Sequence, residues 1–305
     1  MDRRLTTNKK HKKVNNNIPT TTTAAQVRSS FFLPTVKSKI KGNKREFIIK
    51  LRNNEFKVKQ IGIFLTELHR DIINAVIISK RKHKETNTGF QILYNLNDVY
   101  NALNKRISKV ELKNKIQEIR ATTFFIEDPE DEFKFYDFNI FSQNRITNIQ
   151  FGKGKGFFKD KINYYYLIEI SKEYLEFEYY DTGIFIDNKI IKEIIGIKSG
   201  AAKHLIWYCI SHKQLNKDFD DILREINIVN ENMTKQHIYK IKQDILKHKD
   251  TLFYKFKIEI KTIEKTGKLG IFYNQIDNIY FKNNEKAEIT YKKIGIESKP
   301  NIPIN

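Results

Sequence analysis

Thr234-Lys235-Gln236-His237-Ile238-Tyr239-Lys240-Ile241-Lys242-Gln243-Asp244-Ile245-Leu246-Lys247 is the stretch whose reading decides the rest of the chain. Set out at about 100° per residue, Ile238, Ile241, Ile245 and, further on, Leu252 form one apolar stripe of a helix. Gln236, Lys240, Gln243 and Lys247 stand opposite, with Tyr239 on the flank and Lys235 in the first turn. Gln can pair bidentately with adenine and Lys with guanine in the major groove, and Lys also meets phosphate. Thr234 is placed to cap the helix and to touch the DNA backbone. A polar face alone is equally the mark of a solvated helix. The next segment favours DNA: Phe253 to Lys261 and Lys268 to Tyr273 alternate as a hairpin turning near Gly267, and carry Lys255, Lys257, Lys261, Lys265 and Lys268.

Upstream, helices are expected over Asp187 to Ile195, over Ser199 to His212 with Ala201, Leu205, Tyr208 and Cys209 on one face, and over Lys217 to Ile226. The first half repeats the pattern at the level of elements. A helix from Thr66 carries Leu68, Ile72, Ala75, Val76 and Ser79 at helical spacing. A basic loop ending at Gly89 leads to a short strand, Phe90 to Leu93, and Asn95 or Asn97 can cap a helix running to Leu103. Ser108 can cap another to Ala121, and β stretches come next at Thr122 to Ile126 and Phe133 to Phe141. Helix, strand, helix, helix and hairpin is the element order of a winged helix. The expected fold is therefore α+β: two tandem winged-helix domains with basic flexible tails. The boundaries are a largely disordered basic arm at 1–45, domains at 46–170 and 171–282, and a tail at 283–305.

The two halves are not equivalent as DNA readers. The outer face of the helix from Ser108 mixes Glu111, Asn114, Lys115 and Glu118, and the hairpin after it has an acidic tip of Glu127, Asp128, Glu130, Asp131 and Glu132, which repels phosphate. Basic character returns at Lys153 and Lys155 among Gly152, Gly154 and Gly156, read as a loop touching the DNA backbone. The first half is expected to serve assembly with auxiliary DNA contacts, and the second to read bases.

Composition agrees with a polyanion partner. The 305 residues hold 56 Lys and Arg against 36 Asp and Glu, a formal charge of +20. Hydrophobic residues at 40% and aromatics at 12% supply a core, which excludes a wholly disordered basic protein. The single cysteine, Cys209, excludes a disulfide framework within the chain and a Cys-based zinc cluster, and is expected to be a core residue. No secretory signal is read at the N-terminus and no window approaches the roughly 18 apolar residues of a membrane span, so a cytoplasmic location is expected.

Catalytic patterns are weak. Gly152-Lys153-Gly154-Lys155-Gly156 lacks the spacing of a phosphate-binding loop. His204 and His212 lack a third ligand at a helical step and read as packing or surface residues. Asp250 with Glu259-Ile260-Lys261 has the spacing of a Mg²⁺ nuclease site, which a chain rich in charge also produces by chance. The chain is expected to bind DNA without cofactor or metal. A transcriptional repressor is the rival within that class, and a Mg²⁺-dependent nuclease using Asp250, Glu259 and Lys261 is the rival outside it.

Several segments of the second half carry a resemblance. They are Ile168 to Ile170, Ser171-Lys172-Glu173-Tyr174-Leu175, Ile186 to Ile197, Ser199-Gly200-Ala201-Ala202-Lys203-His204-Leu205-Ile206-Trp207-Tyr208, Phe219-Asp220-Asp221-Ile222-Leu223-Arg224 and Ile238 to Ile245. In this order they resemble the C-terminal winged helix of iteron-binding plasmid replication initiators. Leu68-His69-Arg70-Asp71-Ile72-Ile73 and Asn97-Asp98-Val99 are similar to the N-terminal one. Lys203-His204 departs from the family, whose members often carry Tyr-Ser or Arg near that place. The resemblance implies binding to repeated double-stranded origin sites, opening of nearby AT-rich DNA, and recruitment of the host initiator and replicative helicase. It also implies a homodimer that represses its own gene and a monomer that initiates.

Overall fold

The computed structural model describes residues 20–23, 31–34, 43–51, 54–127, 135–147, 165–174, 183–277 and 279–281. The chain is α+β, and among the described residues every pairing between strands is antiparallel.

Local sequence sets the helix starts. Helix α1 (Glu67–Ile78) begins at Thr66, in a capping box closed by His69. Helix α2 (Leu96–Ala102) is capped by Asn95, and α3 (Lys109–Ala121) by Ser108. In the second half, Asp187 caps α4 (Asn188–Gly196), Ser199 caps α5 (Gly200–Ile210) and Asp218 caps α6 (Phe219–Glu225). Thr234 Oγ1 accepts from the backbone N–H of His237 at the start of α7 (Lys235–Leu246). In each case a side-chain acceptor satisfies an N–H that the first turn leaves unpaired.

The strands are β1 (Thr20–Thr23), β2 (Lys44–Leu51), β3 (Asn54–Ile61), β4 (Lys80–Thr86), β5 (Gly89–Asn95), β6 (Thr123–Glu127), β7 (Phe135–Asn139) and β8 (Phe141–Thr147). They continue as β9 (Tyr165–Ser171), β10 (Gly183–Ile186), β11 (Gln214–Asp218), β12 (Ile258–Thr262), β13 (Leu269–Asn274) and β14 (Ile279–Phe281). The first half holds two four-stranded sheets, ordered β2-β3-β6-β7 and β4-β5-β9-β8. The second holds a three-stranded sheet, β11-β13-β12, and a third group runs β1-β10-β14.

Three expectations are corrected. The basic loop before Gly89 is strand β4, paired with β5 from Lys80↔Tyr94 to Thr86↔Gly89. Phe253 to Lys261 is not one strand: Lys249–Phe256 forms helix α8, because Leu252 and Phe256, four apart, are buried on one helical face. Lys257 then takes a left-handed conformation and lets the chain turn into β12. Within the segment 1–45, read as a largely disordered arm, residues 20–23, 31–34 and 43–45 are described. Thr20–Thr23 adds to the edge of β10, since a ladder needs only backbone groups and Thr suits a strand, and Phe31 and Phe32 enter the core. Finally, the repeat does not extend to sheet pairing. In the second half the strand between helices, β11, joins the hairpin after it through β13. In the first half its counterpart β5 joins β9, and hairpin β6-β7 joins the hairpin β2-β3.

The core runs continuously through both halves, from Phe31, Phe124 and Phe141 to Trp207, Phe219 and Phe256. Its largest fully buried side chain is Trp207. Cys209 lies inside it as a free thiol whose pKa burial pushes up. The acidic tip at 128 to 132 and the tail at 283–305 lie outside the described residues, apart from Glu127 at the end of β6.

Candidate nucleic-acid interface

Helix α7 sits as its pattern requires. Ile241 and Ile245 are buried and Ile238 and Leu246 pack against the core. Thr234, Lys235, Gln236, Lys240, Gln243 and Lys247 are exposed, as is Tyr239 at 61%. The helix is held at two points. Lys242 Nζ lies 2.6 Å from Asp220 Oδ1 on α6. Ser199 Oγ donates to Asp244 at 2.5 Å while accepting from the N–H of Ala202 at 3.0 Å, so one hydroxyl caps α5 and ties it to α7. The rotation of α7 about its axis is thereby set by its two isoleucines and these two polar links, and the Gln-Lys face points to solvent.

Hairpin β12-β13 turns through Ile263 to Lys268, where the N–H of Ile263 donates to Lys268 O at 2.7 Å. Gly267 has φ +66° at the bend and its N–H donates to Ile263 O at 2.8 Å. Lys265 and Lys268 are exposed at this tip. The other three cations read into the hairpin divide. Lys261 is on β12, 2.8 Å from Glu259 and over the ring of Phe272. Lys255 belongs to α8, where it pairs with Glu193, and Lys257 is the cap of that helix. Lys153 and Lys155 lie outside the described residues. Asp250 is exposed in the first turn of α8, and among the described residues no three His, Cys, Asp or Glu side chains gather as metal ligands.

One group of residues escaped the sequence reading. Between α1 and α5 lie Glu67, Arg70, Asp71, Lys203 and His204, all buried. Lys203 and Arg106 both pair with Asp71, and Arg106 also donates to the carbonyl of Ile197 at 3.0 Å. Arg70 lies over the rings of Phe32 and Trp207 at 4.7 and 5.2 Å. Burial pushes the Asp71 carboxyl up and the Lys203 ammonium down, each opposed by the charge of the other. The only sequence signal was the place where Lys203-His204 departs from the family pattern, and a single chain does not name their partners.

No protein-family model matches the chain, and no curated protein sequence does. The structure is similar to domains 2 and 3 of RctB, a replication initiator of Vibrio chromosome II, with TM-score 0.53 and 11% identity over 81% of this chain and 96% of that one. A second structure of RctB domains 2–3 gives TM-score 0.51 and 11% identity, covering 88% of this chain and 100% of the other. At such identity the likeness is one of fold.

Proposed function

We propose that the chain is a non-enzymatic replication initiator of the plasmid type, reading repeated double-stranded DNA sites at an origin. The carrying observation is the outward face of α7, with Gln236, Tyr239, Lys240 and Gln243 exposed above a buried isoleucine stripe and a lysine-tipped hairpin following after α8, within the same three-stranded sheet as β11. The order α5, β11, α6, α7, α8, β12, β13 with sheet β11-β13-β12 supports a winged helix with one extra helical segment before its hairpin, whose recognition helix lies in the major groove. On this reading the first half is a second, elaborated winged helix, whose central strand pairs with β9 in place of its own hairpin. Two DNA-binding units on one chain raise the effective concentration of the second contact. Melting of the origin then draws on binding energy and assembly, with the host initiator and replicative helicase recruited to the opened DNA in the cytoplasm. A monomer–dimer equilibrium would separate initiation from repression of its own gene.

Selection of bound duplexes from random DNA tests this, with a salt titration on the winning sequence. An enriched motif of one to two helical turns, repeated in the replicon that encodes the chain, is the expected result. Equal enrichment of all sequences, with affinity collapsing as salt rises, would replace the reading with that of a non-specific basic binder.

A further inference from the structure

In the described residues of the first half, α3 mixes charge signs, with Glu111 in its first turn and Lys115 engaged with Glu118 at 2.7 Å. Strand β4 is more strongly basic. Its sequence is Lys80-Arg81-Lys82-His83-Lys84-Glu85-Thr86, four Lys and Arg against one Glu. It is the outer strand of the sheet β4-β5-β9-β8, so one row of its backbone N–H groups has no partner strand in that sheet.

The strand is presented in a fixed way. The register shifts between Lys80 and Lys82, placing Arg81 as an extra residue in the ladder. Arg81 Nε donates to Asp98 of α2 at 2.7 Å. His83 turns inward and stacks on Phe90 with ring centroids 5.1 Å apart, while Arg81, Lys82 and Lys84 are exposed. Behind β4, β5 pairs with β9 from Gly89↔Ser171 to Asn95↔Tyr165, so the strand rests on a rigid support. Lys82 and Lys84 share one side of the strand about 6.6 Å apart along it, comparable to the step between successive phosphates on one DNA strand.

Lysines on an edge strand also guard against edge-to-edge aggregation. A guard needs charge of either sign, whereas this edge is predominantly positive, four Lys and Arg against Glu85, in a chain of net charge +20. We propose that β4 is a phosphate-binding rail, with Lys82 and Lys84, flanked by Arg81, contacting the backbone of double-stranded DNA. The inference rests on the DNA-binding reading and adds to it a contact surface in the first half.

The test is a salt titration of the full chain on its selected duplex, comparing the wild type with a Lys82→Ala, Lys84→Ala variant. A Lys189→Ala, Lys192→Ala variant on exposed positions of α4 serves as the control. The β4 variant should flatten the slope of log affinity against log salt by about 1.8, two contacts at about 0.9 each, and select the same motif as the wild type. The control should keep the wild-type slope. An unchanged slope in a β4 variant with the wild-type unfolding midpoint overturns the proposal, and so does a variant that aggregates yet binds with the wild-type slope. The two readings separate: a selected motif with no slope change removes β4 alone. A flattened slope with no selected motif keeps the β4 contact and removes base reading by α7.

Discussion

His204, in the first turns of α5, and Glu67, at the start of α1, lie 2.7 Å apart with neither side chain exposed beyond 1%. They are 137 positions apart in the chain, and Lys203 and Asp71 make a second such link beside them. Through Lys203 and Asp71 the halves are joined by a buried charged contact as well as by apolar packing. Desolvated ion pairs add little stability over apolar residues of the same shape, but a lone member left behind is costly. Such a joint favours one relative placement of α1 and α5, because a slip of either helix strands a charge.

Replacing Asp71 with Ala leaves Lys203 buried without its carboxylate and frees Arg106 from the same partner. We expect a loss of about 3–5 kcal/mol in unfolding free energy, read from urea denaturation. Lys203→Met should cost less, since Arg106 still neutralises Asp71 and the methionine fills the space. Equal losses for the two variants would show that the pair, and not the uncompensated charge, is what matters.

Acidification should destabilise the protein in two stages. His69 is buried, its Nδ1 accepting from the Thr66 N–H at 2.9 Å and its Nε2 donating to Glu118 at 2.9 Å. Burial lowers its pKa, so just below about 6.5 the unfolded chain binds more protons and stability falls with pH. The hydrogen bond from His69 in turn helps hold the Glu118 pKa down to about 2, so its contribution, present above the ordinary carboxylate value, is lost as pH falls from about 4.5 towards 2. Urea midpoints should drop between pH 7.5 and 5.5 and again by pH 3.5. His69→Gln should shrink the first drop, leaving the part due to His83, which burial also lowers.

On the recognition face, Lys240→Ala and Gln243→Ala should each weaken the selected site by about 1–3 kcal/mol and relax preference at the base read. Lys265→Ala, at the hairpin tip, should weaken specific and non-specific DNA alike. Gel shifts on both kinds of duplex decide this. Unchanged affinity for Gln243→Ala would mean that another face of α7 meets the DNA.

Two glycines should respond in opposite ways. Gly89 has φ +152°, and a Cβ there would stand 2.0 Å from the carbonyl oxygen of Ile170, so Gly89→Ala must push β5 off β9. The backbone conformation alone should cost about 1–3 kcal/mol, before the clash is counted. Gly196, the last residue of α4, has only Asn104 Nδ2 at 3.8 Å, and Gly196→Ala should be neutral or stabilising by up to about 1 kcal/mol. Thermal unfolding of both variants provides the comparison.

Much of the second half is local and was legible in the chain. The caps at Ser199 and Thr234 bond to N–H groups three residues on, and the exposed face of α7 comes from the spacing of Ile238, Ile241 and Ile245, so neither needs a distant partner. Asn95 and Ser108 were readable in the first half for the same reason. What depended on remote segments was not readable. Alternation in Phe253-Tyr254-Lys255-Phe256 fits a strand until the core takes Leu252 and Phe256 on one side of a helix. The threonines at 20 to 23 have no apolar pattern and form a strand only because β10 offers an edge. Strand β5 pairs with β9 and not with the nearer hairpin, and Lys203 and His204 are buried only because α1 brings Asp71 and Glu67 to them. Sequence determines hydrogen bonds and faces within a few residues. Strand partners and buried charges are decided where segments distant in the chain meet, by which arrangement leaves the fewest polar groups unpaired.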